Sequence, residues 1–342
     1  MPRTEIATLG EFGLIRHLTD KIALVNPGSL KGVGDDAAVL DYKDKQTLVS
    51  SDLLLEGIHF DLTYVPLKHL GYKAAVVNFS DIYAMNGQPK QITVSIGVSK
   101  RFCVEDLEAF YAGLLLACEV YGVDLVGGDT SSSRTGFTIS ITCIGEGEKD
   151  KITYRSGARV NDLICVSGDL GAAYMGLQLL EREKAVFRGE KDFTPDFCGE
   201  EYLLERQLKP EARKDIVGML ADSGIVPTAM IDVSDGLSSE LLHIAQQSRV
   251  GCRIYEDRIP IDYQTALMAE QFNMNLVTAA LNGGEDYELL FTVPLTYHDT
   301  VDRMEGIKVI GHITEPAAGN YLVGRDGGEV ALQAQGWNPL TF

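Results

Sequence analysis

The sequence predicts a two-domain protein of the α/β class (α+β type), on three observations. At 342 residues the chain exceeds what one hydrophobic core usually organises. Its apolar residues switch repeatedly between a period of two, the signature of strands, and a helical period. A Gly-rich, charged stretch at 145–151 breaks this pattern, setting an N-terminal domain at 1–148 and a C-terminal domain at 149–342.

Taken in order, Phe12, Ile15 and Leu18 form a helical stripe with Leu14 beside it, predicting a short amphipathic helix over 11–18. Residues 27–36 read as loop, 37–40 and 47–51 as strands that empty into Ser50, Ser51 and Asp52, and 67–79 as a helix carrying into Ser80 and Asp81. Over 91–98, Ile92, Val94, Ile96 and Val98 alternate with Thr93 and Ser95, a strand with one wet face. Leu107, Phe110, Leu114, Ala117 and Tyr121 set a helix over 105–121. A short strand at 124–126 ends in Gly127-Gly128-Asp129-Thr130, and 138–144 alternates again. In the second half, 163–166 reads as a buried strand that turns through 167–171 into a helix at 172–180. Pro210 is placed to open a helix running to Leu220. Met230-Ile231-Asp232-Val233-Ser234-Asp235-Gly236 leads into a helix near Leu237, and 281–287 is a loop ahead of a strand at 288–293.

Composition narrows the function. With 30 Lys and Arg against 49 Asp and Glu, the net charge is −19, which argues against a nucleic-acid partner. The six cysteines are scattered without a C-x-x-C pair and several lie in apolar runs, as expected of reduced, buried thiols. No apolar run approaches a membrane span and 1–21 lacks a signal-like core, so the expectation is a cytoplasmic protein with no membrane partner.

The acidic residues carry the chemistry. Gly32, Gly34 and Ala37 match a G-x-G-x-x-A fingerprint, but a dinucleotide site needs a strand before it and a helix after it, and here a strand-like stretch follows. No P-loop, zinc-type His/Cys spacing or G-x-S-x-G elbow occurs. The turn at 168–176 could cradle a phosphate or simply allow tight helix–strand packing. Asp36, Asp52, Asp81, Asp129, Asp232 and Asp235 sit at strand or helix ends, and most follow an apolar strand or lie beside Gly, Ser or Thr. Taken singly, each reads as a turn, a solvent-facing residue or a helix cap. Taken together they read as oxygen ligands converging at one sheet edge, of the kind that suits Mg²⁺ held through substrate phosphates. His59 is the histidine with a site address; a packed or exposed histidine is the competing reading.

These residues also carry a family resemblance over nearly the whole chain. Gly-Asp-Asp-Ala at 34–37, Ser-Ser-Asp at 50–52, Glu-Gly-x-His-Phe at 56–60, Asn-Phe-Ser-Asp-Ile at 78–82, Gly-Gly-Asp-Thr at 127–130, Ile-Asp-Val-Ser-Asp-Gly at 231–236 and Gly-Gly-Glu-Asp-Tyr-Glu-Leu at 283–289 resemble the thiamine-monophosphate kinase family. That family lies in the wider aminoimidazole ribonucleotide synthetase-like superfamily. The resemblance implies ATP-dependent phosphorylation of thiamine monophosphate to thiamine diphosphate by direct in-line transfer with several Mg²⁺ ions. Carried over by position, Asp36, Ser50, Ser51, Asp52, Asp81, Asp129, Asp232 and Asp235 would be metal ligands, with Asp36, Asp81, Asp129 and Asp232 central to catalysis. Tyr111, Gly128, Asp129, Arg155 and Ser234 would hold ATP, and His59, Glu285 and Trp337 the thiamine moiety. The implied fold has two α/β domains, the N-terminal sheet forming a barrel shared across a homodimer. The alternative is another ATP-dependent superfamily enzyme such as aminoimidazole ribonucleotide synthetase. Selenophosphate synthetase is disfavoured, because no cysteine lies in a Gly-rich N-terminal loop. The 130–136 loop is longer than the compact version expected, so Arg134 is given no role.

Overall fold

The computed structural model describes residues 29–31, 35–41, 44–186, 197 and 199–335. The expected helix over 11–18, Gly32, Gly34, Cys198 and Trp337 lie outside them. Six strands form the first sheet: β1 Ser29–Lys31, β2 Ala38–Asp41, β3 Lys45–Leu55, β4 Gln88–Val98, β5 Asp124–Ser132 and β6 Phe137–Glu148, in the order β1-β2-β3-β6-β4-β5. All pairings are antiparallel except β4 with β5. Helices α1 Leu67–Ala84 and α2 Val104–Tyr121 cover one face. Along β6 the burial alternates strictly, with Phe137, Ile139, Ile141 and Cys143 inward and Thr138, Ser140 and Thr142 on the opposite, wetter face.

The second sheet contains β7 Leu163–Ser167, β8 Ala229–Asp232, β9 Gly251–Tyr255, β10 Leu289–Val293, β11 Ile307–Thr314, β12 Asn320–Val323 and β13 Glu329–Ala331, ordered β13-β12-β9-β11-β7-β10-β8. Every residue of β7, β8 and β10 is buried. Ile164 and Val166 pack into a core with Ile231, Leu237 and Ile254, while Leu163 and Cys165 pack into another with Met230, Phe291 and Ile216, so both faces are covered. The helices of this half are α3 Ala172–Val186, α4 Glu201–Leu208, α5 Lys214–Asp222, α6 Leu237–Ser248, α7 Tyr263–Gln271, α8 Leu276–Asn282 and the short α9 His298–Val301. No helix among the described residues is long and apolar enough to cross a membrane.

Helix α1 is the central element. Most of its 18 residues are buried, because it touches β3, β4 and β6 on one side, α2 on another and β8 of the second sheet on a third. Its contact with α2 is backbone to backbone. A Cβ placed on Gly71 would lie 1.9 Å from the Phe110 carbonyl oxygen, and one on Gly113 would lie 1.7 Å from the Lys68 carbonyl oxygen. The tyrosines of both helices converge on one carboxylate: Tyr72 and Tyr121 donate to Glu211 in the α4–α5 connection, at 2.8 and 2.5 Å.

Several expectations change. The strand expected over 47–51 continues to Leu55, so Asp52 lies within β3 and not beyond its end, and Gly127-Gly128-Asp129-Thr130 lies within β5. The helix expected from Pro210 begins at Lys214, and α4 precedes it. At the 168–176 turn, packing accounts for the glycines. A Cβ on Gly176 would meet the Leu203 carbonyl at 2.2 Å, and the α3 N-terminus is already occupied by Asp286, which accepts from Gly171 N at 2.8 Å and Ala173 N at 3.2 Å. Among the described residues Cys118, Cys143, Cys165 and Cys252 are buried free thiols and Cys103 is exposed.

The α1–α2 contact yields the first prediction. An alanine in a helix interior gains about 1 kcal/mol of propensity over glycine. At these two positions backbone overlap outweighs that gain, so Gly71→Ala and Gly113→Ala should each destabilise the protein by about 2–3 kcal/mol. Urea unfolding measures it; a midpoint equal to or above that of the parent protein contradicts the close approach.

Candidate active site

Three carboxylates meet where α1 bridges the two sheets. Asp36 lies in the bend before β2, Asp81 in the last turn of α1 and Asp232 at the end of β8, and each can offer an oxygen within 4.8 Å of the others. Neighbouring hydroxyls hold them: Ser50 Oγ donates to Asp81, and Ser80 Oγ donates to Asp232 at 2.5 Å. The consecutive residues Ser80 and Asp81 thus tie α1 to both sheets. The Arg155 guanidinium pairs with Asp36. Asp35 fixes the loop on either side, accepting from Arg155 N at 2.7 Å and pairing with Lys31 at 3.0 Å. The two adjacent carboxylates therefore lie in distinct environments, Asp36 facing the cluster and Asp35 holding the loop.

So many buried acids resist ionising together. Burial lifts Asp81 well above the usual carboxylate range, and the charges of Asp52, Asp232 and Asp36 lift it further. Asp232 is pushed up to about 7 by burial and by Asp36, with Ser80 and Arg155 opposing. Burial raises Asp52 to about 6, Asp235 to about 6 against the pull of Arg155, and Asp36 despite its arginine partner. Asp36 Oδ2 is buried with no hydrogen-bond partner. Clustered carboxylates, adjacent hydroxyls and an unpaired buried oxygen fit a hard divalent cation such as Mg²⁺.

A second group lies at the open edge of the first sheet. Tyr111 from α2 and Gly127, Gly128, Asp129 and Thr130 from β5 line an open groove of about 390 Å³ with Val94 and Leu125. Gly128 has φ 159 and packs on β4, where a Cβ would stand 1.9 Å from the Val94 carbonyl oxygen. Asp129 is exposed. It pairs in register with Ser95, which pairs with Ser140, so it belongs to the wetter face. Ser51 belongs to that face too, bonded to Thr142 Oγ1 at 3.0 Å. Sequence reasoning gathered all eight metal-ligand candidates into one cluster; the fold separates Ser51 and Asp129 from Asp36, Asp81 and Asp232.

The third group presents His59 and Glu285. In the 56–60 turn, Gly57 takes φ 80, Glu56 accepts from Phe137 N at 2.8 Å, and Phe60 is buried edge-on to Phe137. His59 Nδ1 accepts from Leu55 N at 3.0 Å, which leaves the ring proton on Nε2. Burial lowers the His59 pKa, while the nearby Glu285 carboxylate acts in the opposite direction. Glu285 itself sits at φ 60 and Tyr287 at φ 52, an unusual backbone for residues other than glycine. The segment is held by Glu285 N to Ser234 O at 2.6 Å, Tyr287 N to Val233 O at 2.9 Å, and Glu288, whose carboxylate receives Arg206 at 2.8 Å and also pairs with Arg213. Ser234, a predicted ATP contact, thus also anchors Glu285 through its carbonyl. Sequence reading missed the roles of Ser80, Lys73 and Gln207. For Ser80, the clue was its place beside Asp81; for Lys73, no motif marks a lysine on a buried helix.

Residues 34–146 match the model of the AIR synthase related protein, N-terminal domain. The chain is 36% identical over 317 residues to the thiamine-monophosphate kinase of Aquifex aeolicus, covering 90% of this chain and 96% of that one. It is 34% identical over 337 residues to the Bacillus subtilis thiamine-monophosphate kinase, covering 96% and 99%. Among solved structures, AaThiL complexed with AMPPCP and TMP superposes with a TM-score of 0.82 at 34% identity, covering 99% of each chain.

The raised carboxylates predict how stability depends on pH. Asp81, Asp232 and Asp286, the last pushed up to about 7 by burial, bind protons more tightly when folded, so the stability they supply is lost as pH rises through their folded values. The lowered histidines His59, His69 and His312 work oppositely, but only up to the free-histidine value of about 6.5. In cation-free buffer, Tm should therefore fall from about pH 6.5 to about pH 8, and Mg²⁺ should raise Tm more at the upper end. Asp81→Asn should flatten the fall. Differential scanning calorimetry decides it, and a Tm that neither falls with pH nor responds to Mg²⁺ counts against the cluster.

Proposed function

The chain belongs to the thiamine-monophosphate kinase family, and we propose that its acidic cluster, edge groove and His59–Glu285 pair together form the site of that reaction. The activity is the ATP-dependent phosphorylation of thiamine monophosphate to thiamine diphosphate. AaThiL, complexed with the ATP analogue AMPPCP and TMP, has the same fold over almost the whole chain, and the kinase relatives favour this activity over that of a ribonucleotide synthetase. The observation that carries the site reading is the approach of Asp36, Asp81 and Asp232 to within 4.8 Å.

In this reading Asp36, Asp81 and Asp232, with Ser50, Asp52 and Asp235, would hold Mg²⁺ at the cluster, and Ser51 and Asp129, on the other face of the sheet, would hold a separate ion. Bound Mg²⁺ supplies the positive charge that lets two anionic substrates lie beside carboxylates. The chain's own contribution is placement. Tyr111, Gly128 and the β5 edge receive the nucleotide, Ser234 on the turn between β8 and α6 would add a further contact, and Arg155 adds fixed positive charge next to Asp36. His59 offers an Nε2–H donor and Glu285 a carboxylate to the thiamine moiety, with Trp337 stacking on its cationic ring. The acceptor is a phosphate oxygen that is already anionic, so alignment in line with the leaving oxygen replaces general-base catalysis. Residues 1–148 supply the nucleotide side and residues 149–342 complete the site.

The finer assembly is also proposed: a cytoplasmic homodimer joined through the first sheet, forming a shared barrel. Exposed apolar side chains support it, with Leu53 53% exposed on β3, Leu115 49% and Val120 51% on α2, and Val126 58% on the edge strand β5. Sedimentation should give about twice the 37.3 kDa chain mass, and Val126→Asp with Leu53→Asp should give the single-chain mass. A monomeric parent protein removes the barrel.

Purified protein with ATP, Mg²⁺ and thiamine monophosphate should yield ADP and thiamine diphosphate in equal amounts. Asp81→Asn and Asp129→Asn should each lower kcat by about 100-fold or more through lost metal positioning. Near-normal turnover in both variants would sink the metal assignments while leaving the activity itself standing.

A further inference from the structure

We propose that Lys73 is a positioning residue for the acceptor site, acting through Glu285. Lys73 lies on α1, eight positions before Asp81, and its side chain is only 12% exposed. Its ammonium makes two contacts across the boundary between the sheets: to the Gln207 carbonyl at 2.8 Å and to Glu285 Oε2 at 3.0 Å. Gln207 Nε2 donates to the same Glu285 oxygen at 2.8 Å. Two donors therefore converge on Oε2, and the Gln207 carbonyl orients one of them.

This arrangement has a directional consequence. A carboxylate with one oxygen fixed by two donors loses most of its freedom to rotate, and its other oxygen is aimed by default. Glu285 needs such support, because its backbone sits at φ 60 in a segment anchored through Ser234 and Val233, while its side chain remains 34% exposed. The segment sets where the residue starts; Lys73 and Gln207 set where the carboxylate ends. Lys73 and Asp81 share one helix, so the element that carries the acidic cluster also aims the acceptor contact. The charge of Lys73 is met by Glu285, and the length and flexibility of its stem let it reach from a helix buried on most sides.

The inference rests on Glu285 contacting the acceptor, and steady-state kinetics on the full chain tests the two separately. Lys73→Met should raise KM for thiamine monophosphate about tenfold while kcat and KM for ATP stay within about twofold. Lys73→Arg should restore most of the loss, and Lys73→Met combined with Glu285→Gln should be no worse than Glu285→Gln alone. A raised KM in Glu285→Gln beside an unchanged one in Lys73→Met overturns the inference alone. Unchanged KM in both overturns the acceptor assignment of Glu285 and the inference with it, and additive losses in the double variant overturn the positioning role. Should Lys73→Met fail to fold, Gln207→Met removes the second donor and carries the same expectation at smaller size, and an unchanged KM there overturns the proposal.

Discussion

The mutual repulsion of buried carboxylates is the constraint on which this structure depends. Asp36, Asp81 and Asp232 come from a bend, a helix and a strand that no local interaction would draw together. Burial and like charge push all three toward the protonated form. What holds them is the placement of α1, whose apolar surface is buried on several sides and whose Ser80 and Asp81 reach in two directions. The hydrophobic burial of one helix therefore works against an electrostatic cost concentrated at its end. The arrangement suits a protein whose partners are divalent cations and phosphates, because binding them relieves the strain that folding leaves.

Much of this was legible in the sequence, because the chemistry is carried by short acidic motifs whose residue types constrain the ligand. Glu-Gly-x-His-Phe is an example: Glu56 bonds a neighbouring strand, Gly57 supplies a positive φ, Phe60 anchors in the core, and His59 is left presented. The local conformation was less legible. Ser50-Ser51-Asp52 reads as the end of a strand with Asp52 in the turn, yet the strand runs on to Leu55, and Ser50 faces its covered side, buried against Asp81. Gly127-Gly128-Asp129-Thr130 reads as a turn because glycines weaken strands, yet the parallel pairing with β4 requires a residue without a Cβ at Gly128. In both places tertiary contacts override local propensity.

Contacts between distant segments left no trace in the sequence pattern. Lys73 meets Glu285 across 212 positions, and Ser80 meets Asp232 across 152. The sequence marks Ser80 as part of the 78–82 motif but not its partner, and marks Lys73 not at all, because the geometry that gives them a role exists only once the second sheet has docked. Glu288, which the sequence shows as part of the 283–289 motif, holds two arginines behind the Glu285 segment, and neither partner is marked there. Such residues shape the site through the groups that line it.

The glycine contacts between α1 and α2 have a mechanical consequence. Helices touching through their backbones have no side-chain layer between them that could yield, so they shift as one body. One of them carries Asp81 and Lys73; the other carries Tyr111 at the mouth of the groove. The spacing between this groove and Asp81 is thereby a property of the folded chain, like the gap between the jaws of a fixed gauge.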